Sequence, residues 1–253
     1  MRAVEGKRVL IAGATSEIGA ETARLLAREG ADLLLVARRM ELLEALATEC
    51  ARYYGVNSTA LPLDLTAEGS AERLRDEVVR RFGRLDALVS YVGYPFDPDL
   101  WYRSLRDLRE EELRRVFDVD FFANFRLVRS LLEILRGGVV VLTTSTPAIS
   151  WYRYGSAYSM AKLAVVGLVR SIAAEYRSLG IRAYALALGN IRTSATFDKM
   201  TEEERRALAE ESPMGRWGEP VEVARVVLAL ISDLFSFVNG QVIVVDGGTL
   251  MIG

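Results

Sequence analysis

The sequence predicts an α/β fold: a doubly wound parallel sheet of seven strands with helices on both faces. Short apolar segments alternate with longer amphipathic segments along the whole chain, as they do when helices cover both faces of a parallel sheet. Several amphipathic segments stop at a glycine, a common helix end; these glycines are Gly30, Gly83 and Gly180. No linker or repeat interrupts the pattern, so we expect a single domain over residues 1–253.

The predicted strands are rich in Val, Leu and Ile and nearly continuous, which favours strands that are buried on both faces. They are RVLIAG (8–13), ADLLLVA (31–37), STALPLD (58–64), DALVSYV (86–92), GGVVVLTT (137–144), IRAYALAL (181–188) and QVIVVDGG (241–248). The segments predicted as helices cover 18–30, 40–54, 71–83, 110–136 and 156–180.

Two longer connections break this rhythm, residues 93–108 and an insertion at about 190–219 that contains its own acidic helix, TEEERRALAEE. Ligands of doubly wound sheets bind beyond the carboxyl ends of the strands, and both connections leave from that edge. They are either walls of a substrate pocket or surface loops. We expect about half of the nearby aromatic side chains to line such a pocket; the candidates are Tyr91, Tyr94, Trp101, Tyr102, Trp151, Tyr152 and Tyr154.

Composition excludes several classes of function. The net charge of −2 predicts no nucleic-acid or membrane partner. The chain has no histidine and a single cysteine, Cys50, on a predicted helix. These counts exclude Ser-His-Asp and Cys-His catalysis and His-ligated zinc, and we predict no metal site. Catalysis must therefore use carboxylates, Tyr, Lys, Ser or a bound cofactor.

The expected location is the cytoplasm. We identify no apolar run of the roughly 18 residues that span a bilayer. The apolar stretch near the start runs directly into a glycine-rich turn, unlike the separate apolar region of a secretory signal.

A glycine-rich turn joins the first strand to the first helix, between Gly13 and Gly19. Glycine permits a tight turn and a close approach of the backbone to a pyrophosphate at the helix N-terminus. The second strand ends in Arg38 and Arg39, where proteins that prefer NAD place a carboxylate for the ribose 2′-hydroxyl. Basic residues suit a 2′-phosphate instead, or are simply solvated. Asp64 after the third strand either contacts the adenine or caps the next helix.

The residues with the clearest chemistry are Tyr158 and Lys162, preceded by Ser145 at the end of the fifth strand. Residues at i and i+4 share one helix face. A phenol has an unperturbed pKa of about 10, and a nearby ammonium favours its ionised form. Ser145 would donate a hydrogen bond to a carbonyl oxygen and hold it within reach of Tyr158.

These motifs, in their order and spacing, resemble the short-chain dehydrogenases/reductases of the compact single-domain kind, over nearly the whole chain. The matching features are the turn at 13–19, Asp64, Ser145, the YSMAK motif (158–162), GNIRT (189–193), RWGEPVEVA (216–224) and NGQVIVVDGG (239–248). The resemblance implies a Rossmann-type fold and a homotetramer or homodimer. Its interfaces would use long helices at about 109–136 and 153–179 and the C-terminal strands.

The resemblance also implies roles for individual residues. Tyr158 would be the acid/base, Ser145 would orient the substrate, Lys162 would bind the nicotinamide ribose, and Asp120 aligns with a proton-relay asparagine. Ile191 and Thr193 would face the nicotinamide carboxamide. The predicted cofactor-binding residues are Gly13, Thr15, Ser16, Ile18, Gly19, Arg38, Arg39, Asp64, Gly93, Tyr158, Lys162, Gly189, Ile191 and Thr193.

The chain departs from the family pattern in four places. Glu17 replaces the middle glycine of the first motif, and we expect its carboxylate to point away from the pyrophosphate, towards solvent. An Asn-Asn-Ala-Gly stretch is replaced by SYVG (90–93), Asp120 replaces an asparagine, and Leu188 replaces a proline.

The leading prediction is an NADP(H)-dependent oxidoreductase, with NAD(H) also usable, that transfers a hydride between nicotinamide and a carbonyl or secondary alcohol. Its substrate would be a small molecule: a 3-oxoacyl compound, a sugar or a small ketone. The alternative is a catalytically impaired dinucleotide-binding protein with a regulatory or scaffold role, which Glu17, Asp120 and the missing Asn-Asn-Ala stretch favour. The retention of Ser145, Tyr158 and Lys162 favours the enzyme.

Overall fold

The structure, a computed structural model, describes residues 2–251 and contains one seven-stranded parallel sheet. The strand order is β3-β2-β1-β4-β5-β6-β7, so the prediction of a doubly wound parallel sheet is confirmed. The strands are β1 (Arg8–Ala12), β2 (Asp32–Ala37), β3 (Ser58–Pro62), β4 (Ala87–Ser90), β5 (Val139–Ser145), β6 (Arg182–Leu188) and β7 (Gln241–Val245).

Helices connect the strands and cover both faces of the sheet. They are α1 (Glu17–Arg28), α2 (Met40–Tyr54), α3 (Ser70–Phe82), α4 (Pro98–Trp101), α5 (Glu110–Phe117), α6 (Ala123–Leu131), α7 (Thr146–Ile149), α8 (Ser156–Glu175), α9 (Glu202–Glu210) and α10 (Pro220–Ile231). The glycines predicted to end helices all have positive φ, between 67° and 89°. Of these helices, α4, α7 and α10 were not predicted as separate elements.

The hydrophobic core has two halves, one on each face of the sheet. Successive side chains of a strand point to opposite faces, and in β1 Val9 and Ile11 join one half while Leu10 joins the other. The first half also contains residues of α1, α2 and α10, and the second contains residues of α3, α6 and α8. This division explains why the strands are apolar throughout rather than alternating.

The helix predicted at 110–136 is interrupted in its middle. After α5, the residues Asp118–Phe122 form one wide π turn, α6 follows, and Leu132–Leu135 is a 3-10 turn. Such wide turns often occur at functional sites. The sequence pattern did not reveal the interruption, because the apolar spacing continues through it. The helix predicted at 156–180 is α8, followed by a 3-10 turn at Arg177–Leu179.

The two longer connections have the expected positions at the carboxyl edge of the sheet. The first contains the single-turn helix α4, whose start is capped by Asp97. The second contains α9 over most of the predicted acidic segment. The hydroxyl of Thr201 accepts a hydrogen bond from the backbone of Glu204, and the Glu204 carboxylate accepts one in return.

Helix α8 is long and apolar enough, by length and composition alone, to cross a membrane. In this fold it lies against β5 and β6. Its residues Ala161, Val165 and Val169 are buried in hydrophobic clusters. Its apolar character is therefore accounted for by its place in the fold.

Candidate active site

The glycine-rich turn after β1 leaves no room for side chains at its two glycines. Gly13 has φ of +76°, and a Cβ placed there would lie 3.0 Å from the backbone of Tyr91. A Cβ at Gly19 would lie 2.5 Å from the carbonyl oxygen of Gly13. The hydroxyl of Ser16 accepts a hydrogen bond from the Gly19 nitrogen at 3.0 Å and so caps α1. The turn thus fits a pyrophosphate, which needs close backbone approach and a helix N-terminus.

Glu17, the departure within this turn, is exposed but does not point only into solvent. Its Oε1 accepts a hydrogen bond from the backbone nitrogen of Ser194 at 2.9 Å. Ser194 lies in the connection after β6, one residue beyond Thr193. Glu17 therefore joins the glycine-rich turn to the connection at 190–219, a contact that the expectation of a solvent-facing carboxylate did not include.

Arg38 and Arg39 follow β2 at the same edge and are both exposed. The guanidinium of Arg39 donates a hydrogen bond to the carbonyl oxygen of Thr15 in the glycine-rich turn, at 2.5 Å. Asp64, after β3, accepts hydrogen bonds from the hydroxyl and nitrogen of Thr66 at 2.7 and 2.9 Å. These bonds hold the pKa of Asp64 below its ordinary value, and the positive charge of Arg38 adds to the effect. Asp64 thus structures the turn before α3 and lies near Arg38.

Ser145 and Tyr158 lie on β5 and α8, two elements that pack against each other. Ser145 is the last residue of the strand, and its hydroxyl donates to the carbonyl oxygen of Leu188 at 3.3 Å. Tyr158 lies in the first turn of α8, and the Lys162 Nζ is 5.7 Å from the centre of its ring. The same ammonium donates to the carbonyl oxygen of Thr143 at 3.3 Å. The structure therefore places three of the four predicted catalytic residues, Ser145, Tyr158 and Lys162, where β5 and α8 pack together.

Asp120 forms a buried ion pair with Lys162, with 2.8 Å between Oδ1 and Nζ. The side chains are 0 % and 4 % exposed respectively. Burial lowers the pKa of Lys162, but the charges of Asp120 and Tyr158 outweigh it, so that the pKa lies above its ordinary value. Gly93 lies against this pair, since a Cβ there would be 3.0 Å from the Asp120 Oδ1.

Sequence reasoning did not identify Asn124, which ties the π turn to the segment after β4. Its Oδ1 accepts from the hydroxyl of Ser90 at 2.6 Å, and its Nδ2 donates to the carbonyl oxygen of Asp120 at 2.8 Å. The Nδ2 also lies 3.4 Å from the carbonyl oxygen of Val92. All three atoms belong to segments around the buried ion pair. Its position four residues after Asp120, on the same helix face, was the available signal.

An aromatic cluster covers the Tyr158 side of the site. Trp101 of α4 packs edge-on against Tyr158 with 5.7 Å between ring centres, and Phe96 and Tyr152 pack against Trp101. Gly155 accommodates the indole, because a Cβ there would lie 2.5 Å from Trp101 Cζ3.

The other aromatic candidates do not all face the site. Tyr102 packs on Tyr154, and Trp151 is 85 % exposed. Tyr91 lies under the glycine-rich turn, where its hydroxyl is 2.6 Å from that of Thr22, and burial raises its pKa.

The segment after β6 completes the carboxyl edge. Gly189 lies tightly against Asp246, since a Cβ at Gly189 would be 2.5 Å from the Asp246 Cβ. Ile191 is buried, and the hydroxyl of Thr193 lies 3.2 Å from that of Thr196. All of the predicted cofactor-binding residues thus lie at or near one edge of the sheet, as ligand binding in doubly wound folds requires.

Comparison with known proteins agrees with this geometry. A family model described as enoyl-(acyl carrier protein) reductase matches residues 13–249. The 3-oxoacyl-[acyl-carrier-protein] reductase FabG of Thermotoga maritima is 33% identical over 251 residues, covering 98% of this chain and 99% of that protein. The A-factor type gamma-butyrolactone 1'-reductase (1S-forming) of Streptomyces virginiae is 34% identical over 245 residues, covering 94% and 93%. The structure of L-sorbose reductase from Gluconobacter frateurii, complexed with NADPH and L-sorbose, has a TM-score of 0.90 at 25% identity and covers 100% of both chains.

The chain belongs to the short-chain dehydrogenase/reductase family. It is accordingly an oxidoreductase of carbonyl and alcohol groups that uses NAD(P)(H). The resemblance seen in the sequence is confirmed.

Proposed function

We propose that this protein is an NADP(H)-dependent carbonyl reductase, or alcohol dehydrogenase in the reverse direction, with Tyr158 as its acid/base. The observation that carries the proposal is the position of Tyr158 beside Lys162 on α8, which packs against the strand β5 that ends at Ser145. The chemistry that a bound nicotinamide would supply is hydride transfer to or from the substrate carbon. The protein's own residues supply the proton, orient the carbonyl and hold the cofactor.

Each catalytic side chain has a physical task. The hydroxyl of Ser145 turns from Leu188 to donate to the substrate oxygen, which it holds near Tyr158. Tyr158 gives a proton to that oxygen during reduction and takes it back during oxidation. The Lys162 ammonium, held by Asp120 and the Thr143 carbonyl, lies beside the phenol ring.

Preference for NADP(H) over NAD(H) is proposed from Arg38 and Arg39. NAD-binding proteins place a carboxylate at the carboxyl end of β2 to bind the ribose 2′-hydroxyl. In this chain the end of β2 is followed by two arginines and has no carboxylate. A 2′-phosphate would instead meet two exposed guanidinium groups, and hydrogen bonds to charged groups contribute about 1.5–3 kcal/mol. The preference expected from one such bond is roughly 10- to 100-fold.

The proposed substrate is a 3-oxoacyl compound, a sugar or a small ketone. The similar proteins include a 3-oxoacyl-[acyl-carrier-protein] reductase, a gamma-butyrolactone 1'-reductase and an L-sorbose reductase. The cofactor-binding roles assigned to Gly13, Thr15, Ser16, Ile18, Gly19, Asp64, Gly93, Gly189, Ile191 and Thr193 belong to the same proposal.

We also propose that the protein works in the cytoplasm as a single domain, assembled as a homotetramer or homodimer. Exposed apolar side chains support self-association, since large contiguous apolar patches on a protein surface mark interaction sites. They include Phe122, Phe125, Leu163 and Phe237. Light scattering of the purified protein measures the assembly directly, and a monomer at micromolar concentration contradicts it.

The test of the function combines binding with turnover. NADPH and NADH are titrated into the protein while tryptophan emission is recorded, and carbonyl substrates are then screened with wild type and Tyr158→Phe. We expect tighter binding of NADPH, and a loss of turnover of about 10²- to 10⁴-fold in Tyr158→Phe with unchanged cofactor affinity. Saturable NADPH binding without turnover in wild type would instead support a non-catalytic dinucleotide-binding protein.

A further inference from the structure

The buried carboxylate of Asp120 depends on one cation for its charge compensation. Its Oδ1 accepts hydrogen bonds from the ammonium of Lys162 at 2.8 Å and from the backbone nitrogen of Tyr94 at 3.2 Å. Its Oδ2 is buried and has no hydrogen-bond partner among residues 2–251. A buried charge requires a partner of opposite sign. The ammonium that lies beside Tyr158 is therefore already neutralised before Tyr158 ionises.

We infer that Asp120 is a positioning residue that delays the ionisation of Tyr158: by neutralising Lys162, it makes the phenolate form at a more alkaline pH than a neutral side chain at position 120 would allow. This inference rests on the proposed function, in which Tyr158 is the acid/base. The replacement of the family's asparagine by Asp120 would then have a specific consequence. Near neutral pH Tyr158 would be kept as a proton donor, which favours carbonyl reduction.

The physical basis is the field of one unit charge at short range. At an effective dielectric constant of about 20, a charge about 6 Å away shifts an ionisation by about 2 pH units. An ammonium alone would favour the phenolate by an amount of this order, whereas an ion pair presents no net charge. Tyr158, Lys162 and Asp120 interact, so they titrate as a coupled group. Each inflection in a pH profile then belongs to the group of three and not to a single residue. Removal of the carboxylate charge moves the first step to lower pH.

Other charged groups around α8 do not replace this effect. Strand β5, helix α7 and strand β7 carry no titratable side chains, and Arg182 and Tyr184 lie near the opposite end of β6. On α4 the carboxylate of Asp99 is exposed to solvent. These elements leave Asp120 as the charged group next to Lys162.

Helix α5, which also packs on α8, has one buried carboxylate of its own. Glu112 is paired with Arg109 at 2.8 Å and with Arg103 at 3.6 Å. Its charge is therefore compensated by two arginines, unlike that of Asp120, whose cation is Lys162.

The test is the pH dependence of kcat/KM for alcohol oxidation, in which Tyr158 must accept a proton. We compare wild type with Asp120→Asn, which keeps an oxygen acceptor for Lys162 but loses the charge. The rise of the rate with pH is expected to move down by about 1–2 units in the variant. Below both inflections kcat/KM then increases roughly 10- to 100-fold.

Two controls separate charge from disturbance of the helix. Asp118→Asn changes an exposed carboxylate in the same π turn, and its profile should coincide with that of wild type. Asp120→Glu keeps the charge, and its inflection should stay near that of wild type. An Asp120→Asn inflection that is unmoved or moves to higher pH overturns the inference, as does an Asp120→Glu profile that follows Asp120→Asn.

A second measurement needs neither turnover nor an Asp120 variant. The phenolate absorbance of wild type is titrated in the near ultraviolet without cofactor, and the same titration of Tyr158→Phe is subtracted. We expect no phenolate signal from Tyr158 near neutral pH. A Tyr158 signal that appears near neutral pH overturns the inference. Because this result does not involve a substrate, it is distinguishable from failure of the proposed function, which is shown by the absence of turnover in wild type.

Discussion

The carboxylate of Glu17 accepts a hydrogen bond at 2.9 Å from the backbone nitrogen of Ser194, 177 residues further along the chain. The contact joins the glycine-rich turn after β1 to the connection after β6. Between these segments lies the N-terminus of α1, where a pyrophosphate would bind. A negative charge at this place favours the helix but opposes an anionic ligand.

Glu17→Gln keeps an oxygen that can accept from Ser194 and removes the charge. We expect it to tighten NADPH binding about 3- to 10-fold at low salt, because one repulsive charge is lost. The gain should shrink as ionic strength rises. Fluorescence titration at two salt concentrations measures both effects. Glu21→Gln, one turn further along α1 and paired with Arg24 at 2.8 Å, is the control. Weaker NADPH binding by Glu17→Gln would contradict the prediction.

Arg38 and Arg39 should differ in their effect on cofactor choice. The guanidinium of Arg39 already donates to Thr15, whereas that of Arg38 has Asp64 as its nearby charge. We expect Arg38→Ala to weaken NADPH binding about 10- to 100-fold, as the loss of a charged hydrogen bond does, and to change NADH binding little. Arg39→Ala should weaken both cofactors, since it also loosens the turn. Equal losses for both cofactors in Arg38→Ala would remove the basis for NADP(H) preference.

Gly155 and Gly55 form a matched pair for testing the contact between Trp101 and the site. Both have positive φ, of 75° and 70°, but a Cβ at Gly55 meets nothing within 4 Å. Alanine at either position costs about 1 kcal/mol of backbone strain. Only Gly155→Ala also displaces Trp101 and, through it, Tyr158. We therefore expect a loss of kcat/KM of about tenfold or more in Gly155→Ala alone. Similar activities for the two variants would show that Trp101 does not hold Tyr158.

The pair of Arg216 with Glu222 should make the end of the 190–219 connection sensitive to acid. Hydrogen bonds from Arg216, followed by that from the Glu219 backbone, lower the pKa of Glu222 to about 2. A carboxylate with a depressed pKa stabilises the fold above its unfolded pKa of about 4.3 and loses that contribution as pH falls towards 2.

The measurement is the difference in Tm between wild type and Glu222→Gln, recorded from pH 7 down to pH 2. We expect a difference that is constant above about pH 5 and disappears as pH falls from about 4.5 towards 2. Glu210→Gln is the control, because its contact with Arg206 is exposed and 4.0 Å long. A difference in Tm that persists at pH 2 would show that the charge of Glu222 is not what stabilises the connection.

Much of the fold could be predicted because its determinants are local. Continuous apolar strands such as 31–37 and glycines at helix ends give patterns within a few residues. Cys50, expected on a helix, is buried in α2, and burial raises its pKa to about 11. The positions of Ser145, Tyr158 and Lys162 followed from their spacing and from the family resemblance.

The parts that escaped prediction depend on contacts between distant segments. Asp120 pairs with Lys162, and Glu17 bonds to Ser194. In both cases the two residues are far apart in sequence, and their spacing does not indicate that they are in contact. Asn124 was overlooked for the same reason, because its partner Ser90 lies on another element. Helix α10 begins within the family motif at 216–224 and was not predicted as a separate helix.

The π turn at Asp118–Phe122 implies that the length of this segment matters as much as its composition. A π turn holds one residue more than an α turn, and each residue of an α-helix advances the face by about 100°. Deleting Val119 would let α5 and α6 join as a regular helix while Asp120 turned away from Lys162. A change in the length of this segment would thus break the buried ion pair even where Asp120 and Lys162 are both retained.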